Sequence, residues 1–420
     1  MPPRFLAVAL LLAVPAAGHA APVPDALRAE LKLDPFYQKH ADAGGLPVVG
    51  SAKVTDHALA EAAWIVDKML GNRPDLIKAM RANRVRIAVM AAGEYTTDVP
   101  EHSKLRPKQY WDRRARGLGA TRTNPCVSCG EENLLGYPGD PYPRENIFVH
   151  EFAHAVHGTG LSATDPTFDR RLRAAYQTAL ERGLWKNTYA ATNHSEYWAE
   201  GVQCWFDDNA PPDALHNDVR TRARLKEYDA PLADLCREVF GDGAWRYRRP
   251  AARPAEDRRH LPGYDPKALP RFEWRKAPVG DTAKVTVQTA AGDLDLELDA
   301  KAAPEAVNLF LAVALDGGYH SGRLRTVEGV VRGTASPAWV ERGAADRLKL
   351  GAVPAATARP VAGGIALVRG GVVGEFVLYA GDPPGKAGDV VPLGRVVRGA
   401  EVLRGVGADG VDVRRVIRTE

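Results

Sequence analysis

The stretch His150-Glu-Phe-Ala-His154 has residue types and spacing that can do chemistry. On a helix, positions four apart share a face, so both imidazoles can bind one ion. Glu151, next to the first histidine, can reach a water on that ion and act as general base. The flanks Ile147, Phe148, Val149, Phe152 and Val156 are apolar and Asn146 offers an N-cap, which predicts a buried helix. Imidazoles set there need partners, because unsatisfied buried polar groups are costly. A catalytic zinc further needs a third protein ligand and an open position for water. Asn193-His-Ser-Glu196-Tyr-Trp-Ala-Glu200 supplies two glutamates at i and i+4, on a face otherwise made by Ala199, Cys204 and Trp205. Two carboxylates bordering an apolar face are costly unless paired, which fits one ligating zinc and one holding a ligand histidine. The same residues also read as a capping box, Asn193 with Glu196. His157 reads as a capping or supporting side chain near the helix end.

The elements that must position these residues follow from periodicity. The pattern predicts a helix over Asp56–Leu70 with an Asp cap, a strand over Arg84–Met90, and an ordered loop over the Gly-, Pro- and Asn-rich Gly117–Pro143. A helix is expected from Glu145 to His157, ended by Gly158-Thr-Gly160, then helices over Pro166–Arg182 and Ser195–Asp207. Residues 21–247 thus read as one α+β domain, and 248–280 as a Pro/Arg-rich linker. After that, Val285 and Val287, then Leu294, Leu296 and Leu298, alternate either side of Ala290-Ala-Gly-Asp293, the pattern of a hairpin. With one helix over Pro304–Leu315, residues 281–420 form a small, mostly-β second domain.

Composition bounds the rest. The 420 residues are 45% hydrophobic and 26% charged, as in ordinary two-domain globular protein. A net charge of +4, with acids interleaved among the bases, gives no case for a nucleic-acid partner. Residues 1–20 carry Arg4, an apolar run from Phe5 to Val14, and small residues Gly18 and Ala20 before a cleavage point, which is the pattern of an export signal. A run that short cannot span a membrane, and a secreted or periplasmic protein is expected. In an oxidising compartment the four cysteines are expected as structural bridges, Cys126–Cys129 and Cys204–Cys236 favoured among three connectivities.

At the histidine and glutamate motifs the chain resembles the lethal-factor-like gluzincin metallopeptidases. Their pattern is HExxH, a tyrosine, then Asn-x-x-Glu-Phe-Phe-Ala-Glu; here it runs His150 to His154, Tyr189, then Asn193 to Glu200. The related metzincin extension would need Gly at 157 and His at 160, where this chain has His157 and Gly160. The resemblance, over roughly residues 85–207, implies a zincin-like fold and one zinc held by His150, His154 and Glu196. It further implies Glu151 as general base, Tyr189 as oxyanion donor and Glu200 supporting a ligand. Further on, Ala303-Pro-Glu-Ala-Val-Asn-Leu-Phe-Leu311, Gly318-Tyr319 and Leu393-Gly-Arg-Val-Val-Arg-Gly-Ala-Glu-Val-Leu403 resemble the cyclophilin-type peptidyl-prolyl isomerases. That implies a closed β-barrel over roughly residues 283–418. Of the family's Phe-His-Arg motif only Arg325 remains, in Arg323-Leu324-Arg325, and its Gln-Phe-Phe-Ile segment appears as Glu375-Phe376-Val377-Leu378. The isomerase site is therefore read as degenerate.

The expectation is an exported zinc peptidase acting on peptides or proteins, with an inactive cyclophilin-like domain able to bind a peptide or partner. The alternatives are a non-catalytic binding protein with a structural zinc, and an exported prolyl isomerase. Catalysis would require the zinc site to face an open cleft beside an exposed edge strand, with Arg84–Met90 the candidate.

Overall fold

The structure is a computed structural model describing residues 20–106, 108–213, 215–274, 280–341, 359–370, 373–383 and 389–419. The export signal read at residues 1–20 lies, but for Ala20, outside the described residues. No described helix is long and apolar enough to cross a membrane.

Short apolar runs in the N-terminal body form strands where helices can cover them. Strands β1 (Ala21–Pro22), β2 (Lys39–Ala43), β3 (Leu46–Gly50), β4 (Arg86–Met90), β5 (Gly117–Leu118) and β6 (Cys126–Gly130) make one sheet in the order β1-β2-β3-β4-β6-β5. β3, β4 and β6 run parallel, and β5 is antiparallel to β6 at the sheet edge. The strand expected at the edge, β4, is therefore interior, and β5 takes that place. The Gly117–Pro143 segment, expected as loop, holds β5, β6 and helix α5 (Glu131–Leu135). Every residue of β6 is buried, so the strand lacks the alternation that marks a half-buried one.

The expected disulfides do not form, and all four cysteines are free and buried. Cys126 and Cys129 are three residues apart on one strand, so the pleat sends them to opposite faces, into different core clusters. Cys204 instead donates its S–H to the carbonyl of Val219 at 3.0 Å.

Helix α1 (Asp25–Leu31) precedes β2; α2 (Asp56–Leu70) and α3 (Pro74–Ala82) follow β3, and α4 (Lys108–Arg114) leads into β5. Thr55, rather than Asp56, caps α2, accepting from the N–H of Ala58. The central helix α6 (Ile147–Ala155) is capped as expected, with Asn146 Oδ1 accepting from the N–H groups of Phe148 and Val149. It does not stop at Gly158. A π-helical turn over Val156–Leu161 carries it into α7 (Ser162–Thr164). Gly160 serves packing instead, since a Cβ there would lie 3.2 Å from Met80 Cγ on α3. Helices α8 (Phe168–Glu181), α9 (His194–Trp205), α10 (Arg222–Tyr228) and α11 (Ala230–Phe240) complete the body.

The Pro/Arg segment after residue 247 is an ordered strap. Arg253 holds buried Glu61 of α2 through both carboxylate oxygens, at 2.9 and 2.6 Å, and His260 adds a third contact at 2.8 Å. Arg249 donates to the carbonyl of Tyr142, and the N–H of Phe272 to that of Pro138. Arginines that look like solvated linker in sequence are here the partners of buried carboxylates.

The C-terminal body is a closed barrel in the order β10-β12-β11-β13-β8-β7-β14-β9. Its strands are β7 (Thr282–Thr289), β8 (Gly292–Asp299), β9 (Gly322–Val327), β10 (Val330–Thr334), β11 (Gly364–Val368), β12 (Phe376–Leu378), β13 (Val390–Arg398) and β14 (Val411–Arg418). β7 and β8 form the expected hairpin, with Thr289 opposite Gly292. Val285, Val287, Leu294, Leu296 and Leu298 point inward and are buried. Helix α12 (Pro304–Leu315) adds Phe310, which meets Phe376 and Tyr319 in the core. The chain is thus a mixed α+β protein ending in a β-barrel, as expected at that level.

Arg116 tests how the strand next to the site is anchored. Its guanidinium is fully buried, contacts Glu132 at 2.5 and 2.9 Å, and donates to the carbonyl of Glu94. Removing one partner of such a pair leaves a bare buried charge, so Arg116→Ala should lower stability by about 3–5 kcal/mol. Guanidinium denaturation at neutral pH reads this out, and an unchanged midpoint would refute it.

Candidate metal centre and active site

Helices α6 and α9 pack together, locked where Trp198 Nε1 donates to the carbonyl of Ala153 at 2.9 Å. That contact aligns the histidine pair of one helix with the glutamates of the other. His150 Nε2 and His154 Nε2 lie 3.2 Å apart, and Glu196 Oε2 lies 3.0 Å from the first and 3.3 Å from the second. Among the described residues this is the group of histidines and carboxylates able to hold a metal ion. The three donor atoms are close enough together for a single ion to be held by all of them. The donor set fits zinc, and the expected ligands His150, His154 and Glu196 are the ones brought together.

Electrostatics favour a cation there. Burial opposes a charge on His150, but the hydrogen bond to Glu196 and the fields of Glu151, Glu200 and Glu196 outweigh it and hold its pKa up at about 10. Burial likewise works against ionised Glu196, yet the two imidazoles keep its carboxyl far below the usual range. Asn193 does cap α9, accepting from the N–H groups of Ser195 and Glu196, while the Glu196 side chain goes to the histidines.

Glu200 Oε1 lies 3.5 Å from His150 Nδ1, close to its expected place. The nearer partner is a residue the motif does not mark. Gln203 Oε1 accepts from His150 Nδ1 at 2.8 Å, and Gln203 Nε2 donates to Glu145. An Nδ1–H held this way turns Nε2 toward the site, so that an ion displacing the Nε2 proton would meet the lone pair a metal ligand needs. The sequence signal was there: Gln203 stands seven after Glu196, on the same face of a buried helix. His216 is a second addition. Its Nδ1 lies 2.9 Å from Asp213 and its Nε2 3.6 Å from Glu200, and Asp213, despite His216's burial, raises its pKa to about 9. Burial pushes the Glu200 carboxyl up, and that histidine opposes the shift.

Glu151 and Tyr189 line the same cleft, about 1440 Å³ in volume, onto which the triangle opens. The Tyr189 ring lies 6.1 Å from that of His150, and its N–H is tied to the carbonyl of Leu215 at 2.7 Å. His157 lies 3.2 Å from Asp169 and is not among the metal-binding group. Edge strand β5 lies directly over α6. A Cβ on Gly117 would come 2.5 Å from Ile147 Cγ2 and 3.0 Å from Glu151 Cγ; one on Gly119 would come 2.7 Å from His154 Cβ. Only glycine permits that approach. Arg325 is exposed on β9, opposite Arg332 and away from this cleft.

No protein-family model matches the chain, and no curated protein matches it. Solved structures do. A cyclophilin type peptidyl-prolyl cis-trans isomerase from Cryptosporidium parvum is 17% identical over 33% of this chain and 98% of its own, with a TM-score of 0.27. Cyclophilin AquaCyp293 from Hirschia baltica is 13% identical over 34% of this chain and 75% of its own, with a TM-score of 0.25.

The Gln203 contact generates a test. Outer hydrogen bonds to ligand histidines typically matter by about 10–100-fold in metal affinity, so Gln203→Leu should weaken zinc binding by that factor. His150→Ala should abolish it. Competition with a chromophoric chelator measures both, and a Gln203→Leu protein with unchanged affinity would remove Gln203 from the site.

Proposed function

We propose that this protein is an exported zinc-dependent peptidase of the lethal-factor-like gluzincin kind. The observation that carries the reading is the His150–His154–Glu196 triangle opening onto a cleft beside edge strand β5, with Glu151 and Tyr189 on its walls. A purely structural zinc would instead be closed off by protein ligands.

A zinc ion in this site would supply Lewis acidity toward a carbonyl and acidify a water. The chain's own residues do the rest. An extended peptide adds to the free edge of β5 by backbone hydrogen bonds, which sets its carbonyl across the cleft from the triangle. Glu151 accepts the proton of the attacking water and returns it to the leaving amine. Tyr189 donates its hydroxyl to the oxygen on which negative charge develops. Gln203 and Glu200 hold His150 in register throughout.

Isomerase activity has little support. Phe376 fills the barrel core rather than a surface pocket, and Arg323, Arg332 and Arg369 are engaged by Asp412, Glu375 and Asp389. That surface presents ion pairs where the cyclophilin resemblance would imply an apolar slot for a proline ring.

Glu151→Gln should keep its zinc and lose peptide cleavage by about 10²–10⁴-fold, while Tyr189→Phe should lose about 10²–10³-fold in kcat. Zinc content by elemental analysis, alongside cleavage of a random peptide library with and without chelator, gives the answer. Full activity in Glu151→Gln would sink the peptidase assignment.

A further inference from the structure

Tyr189 and the metal triangle sit on different elements, so their separation depends on what ties those elements together. Tyr189 opens a short helical turn, Tyr189–Ala191, that packs against α9. An oxyanion donor must lie about 2.7–3.1 Å from the oxygen it stabilises, and a misplacement of about 1 Å can cost about 10²-fold. The phenol must therefore be held at a set distance from the ion, and a loop further along the chain is built to do so.

That loop carries Asp213, Leu215 and His216, and all three line the cleft. Asp213 Oδ1 accepts from the N–H of Leu215 at 2.8 Å, the N–H of His216 at 3.0 Å and His216 Nδ1 at 2.9 Å. The N–H of Asp213 in turn donates to the carbonyl of His216 at 3.0 Å. Its second carboxylate oxygen lies 3.5 Å from Arg144, in the segment that leads into α6. Burial opposes the charge on Asp213, yet the bonds from His216 and from the N–H of Leu215 hold its carboxyl down at about 2. The side chains of Asp213 and His216 are only 11% and 10% exposed, so water competes little for these bonds. One aspartate thus closes the turn by binding its own neighbouring backbone.

The closed turn grips the site at two points. Through its backbone, the carbonyl of Leu215 accepts from the N–H of Tyr189 at 2.7 Å. Through a side chain, His216 Nε2 lies 3.6 Å from Glu200 Oε2, and Glu200 Oε1 lies 3.5 Å from Nδ1 of the ligand His150. Asn209 steadies Glu200, donating to the same Oε2 at 3.1 Å. The path from the oxyanion donor to the metal ligand runs Tyr189, Leu215, Asp213, His216, Glu200, His150, and no link in it exceeds 3.6 Å. Neither Asp213 nor His216 belongs to the histidine and glutamate motifs.

We propose that the loop carrying Asp213, Leu215 and His216 is a brace that sets Tyr189 against the metal centre, with Asp213 and His216 as positioning residues for the peptidase reaction. Asp213 closes the turn, His216 anchors it to Glu200, and Leu215 presents its carbonyl to Tyr189. The inference rests on the peptidase reading and deepens it, by naming what aligns its oxyanion donor.

The test follows cleavage, by the zinc-loaded full chain, of a peptide that the wild type cuts from a random library. Because the phenol acts only as charge develops, a slack brace should lower kcat and leave KM and zinc content unchanged. Asp213→Ala and His216→Ala should each lose about 10–100-fold in kcat. Melting temperatures show which variant is folded, and either one suffices. Asp213→Asn, whose amide oxygen accepts from the same N–H donors, should keep kcat close to that of the wild type. A double-mutant cycle with Tyr189→Phe separates positioning from general damage. In that background the alanine substitutions should cost about twofold or less, since the group they position is gone. Losses that multiply in full would overturn the inference and leave the peptidase reading standing, and so would folded alanine variants with wild-type kcat. A wild type without chelator-sensitive cleavage would overturn the peptidase reading itself, and the brace with it.

Discussion

Two helices that are buried on nearly every side must nonetheless carry several polar side chains, and the rest of the N-terminal body accommodates that demand. From Tyr197 to Trp205 every residue of α9 is buried, as are most of those in α6. His150, Glu200 and Gln203 are buried and must find partners within the protein: Gln203 takes His150 on the facing helix and Glu145 just before it, and Glu200 takes Asn209. The outcome is a seam whose hydrogen bonds run from Glu145 through Gln203 to His150 and on to Glu196. Such a seam has few alternative arrangements, because moving any member strands another. The metal triangle is the end of that chain that reaches the cleft.

How far this was legible in the sequence depends on the range of the interactions. The histidine pair, Glu151 and the Asn193 cap are set by positions within one or two helical turns, and helical periodicity displays them. The strand order is not local. Nothing in Arg86–Met90 or Gly117–Leu118 says which will lie at the edge, since that is decided by which neighbours compete for each side. Residues 126–130 looked like loop because a strand buried on both faces has no polar alternation to show. The cysteines misled for a related reason: their spacing suits a bridge only if the backbone turns between them, and here it is extended. Gln203 was readable in principle, as a polar residue in register with Glu196, but only once the helix was known to be buried.

The strap illustrates how composition can hide structure. Residues 248–274 lack an apolar period, so they offer none of the signals by which ordered segments are recognised. Their order comes from single arginines that each answer a buried carboxylate or carbonyl, with Trp64 stacked on His260 and under Arg253. These contacts carry the chain around the body and deliver Trp274 to Arg113, which faces Asp316 of the barrel domain. A segment that reads as spacing between two domains thereby fixes how they meet.

The four free thiols bear on how such a chain is made. Burial pushes every one of them well above its ordinary pKa, so in the folded protein they are neutral, shielded and poor nucleophiles. Before folding they have no such protection. A bridge closed early between Cys126 and Cys129 would forbid the extended β6, and with it the seat of the edge strand. For a protein exported as proposed, folding and oxidation become a race, and β6 must pair with β4 before its two sulfurs find each other.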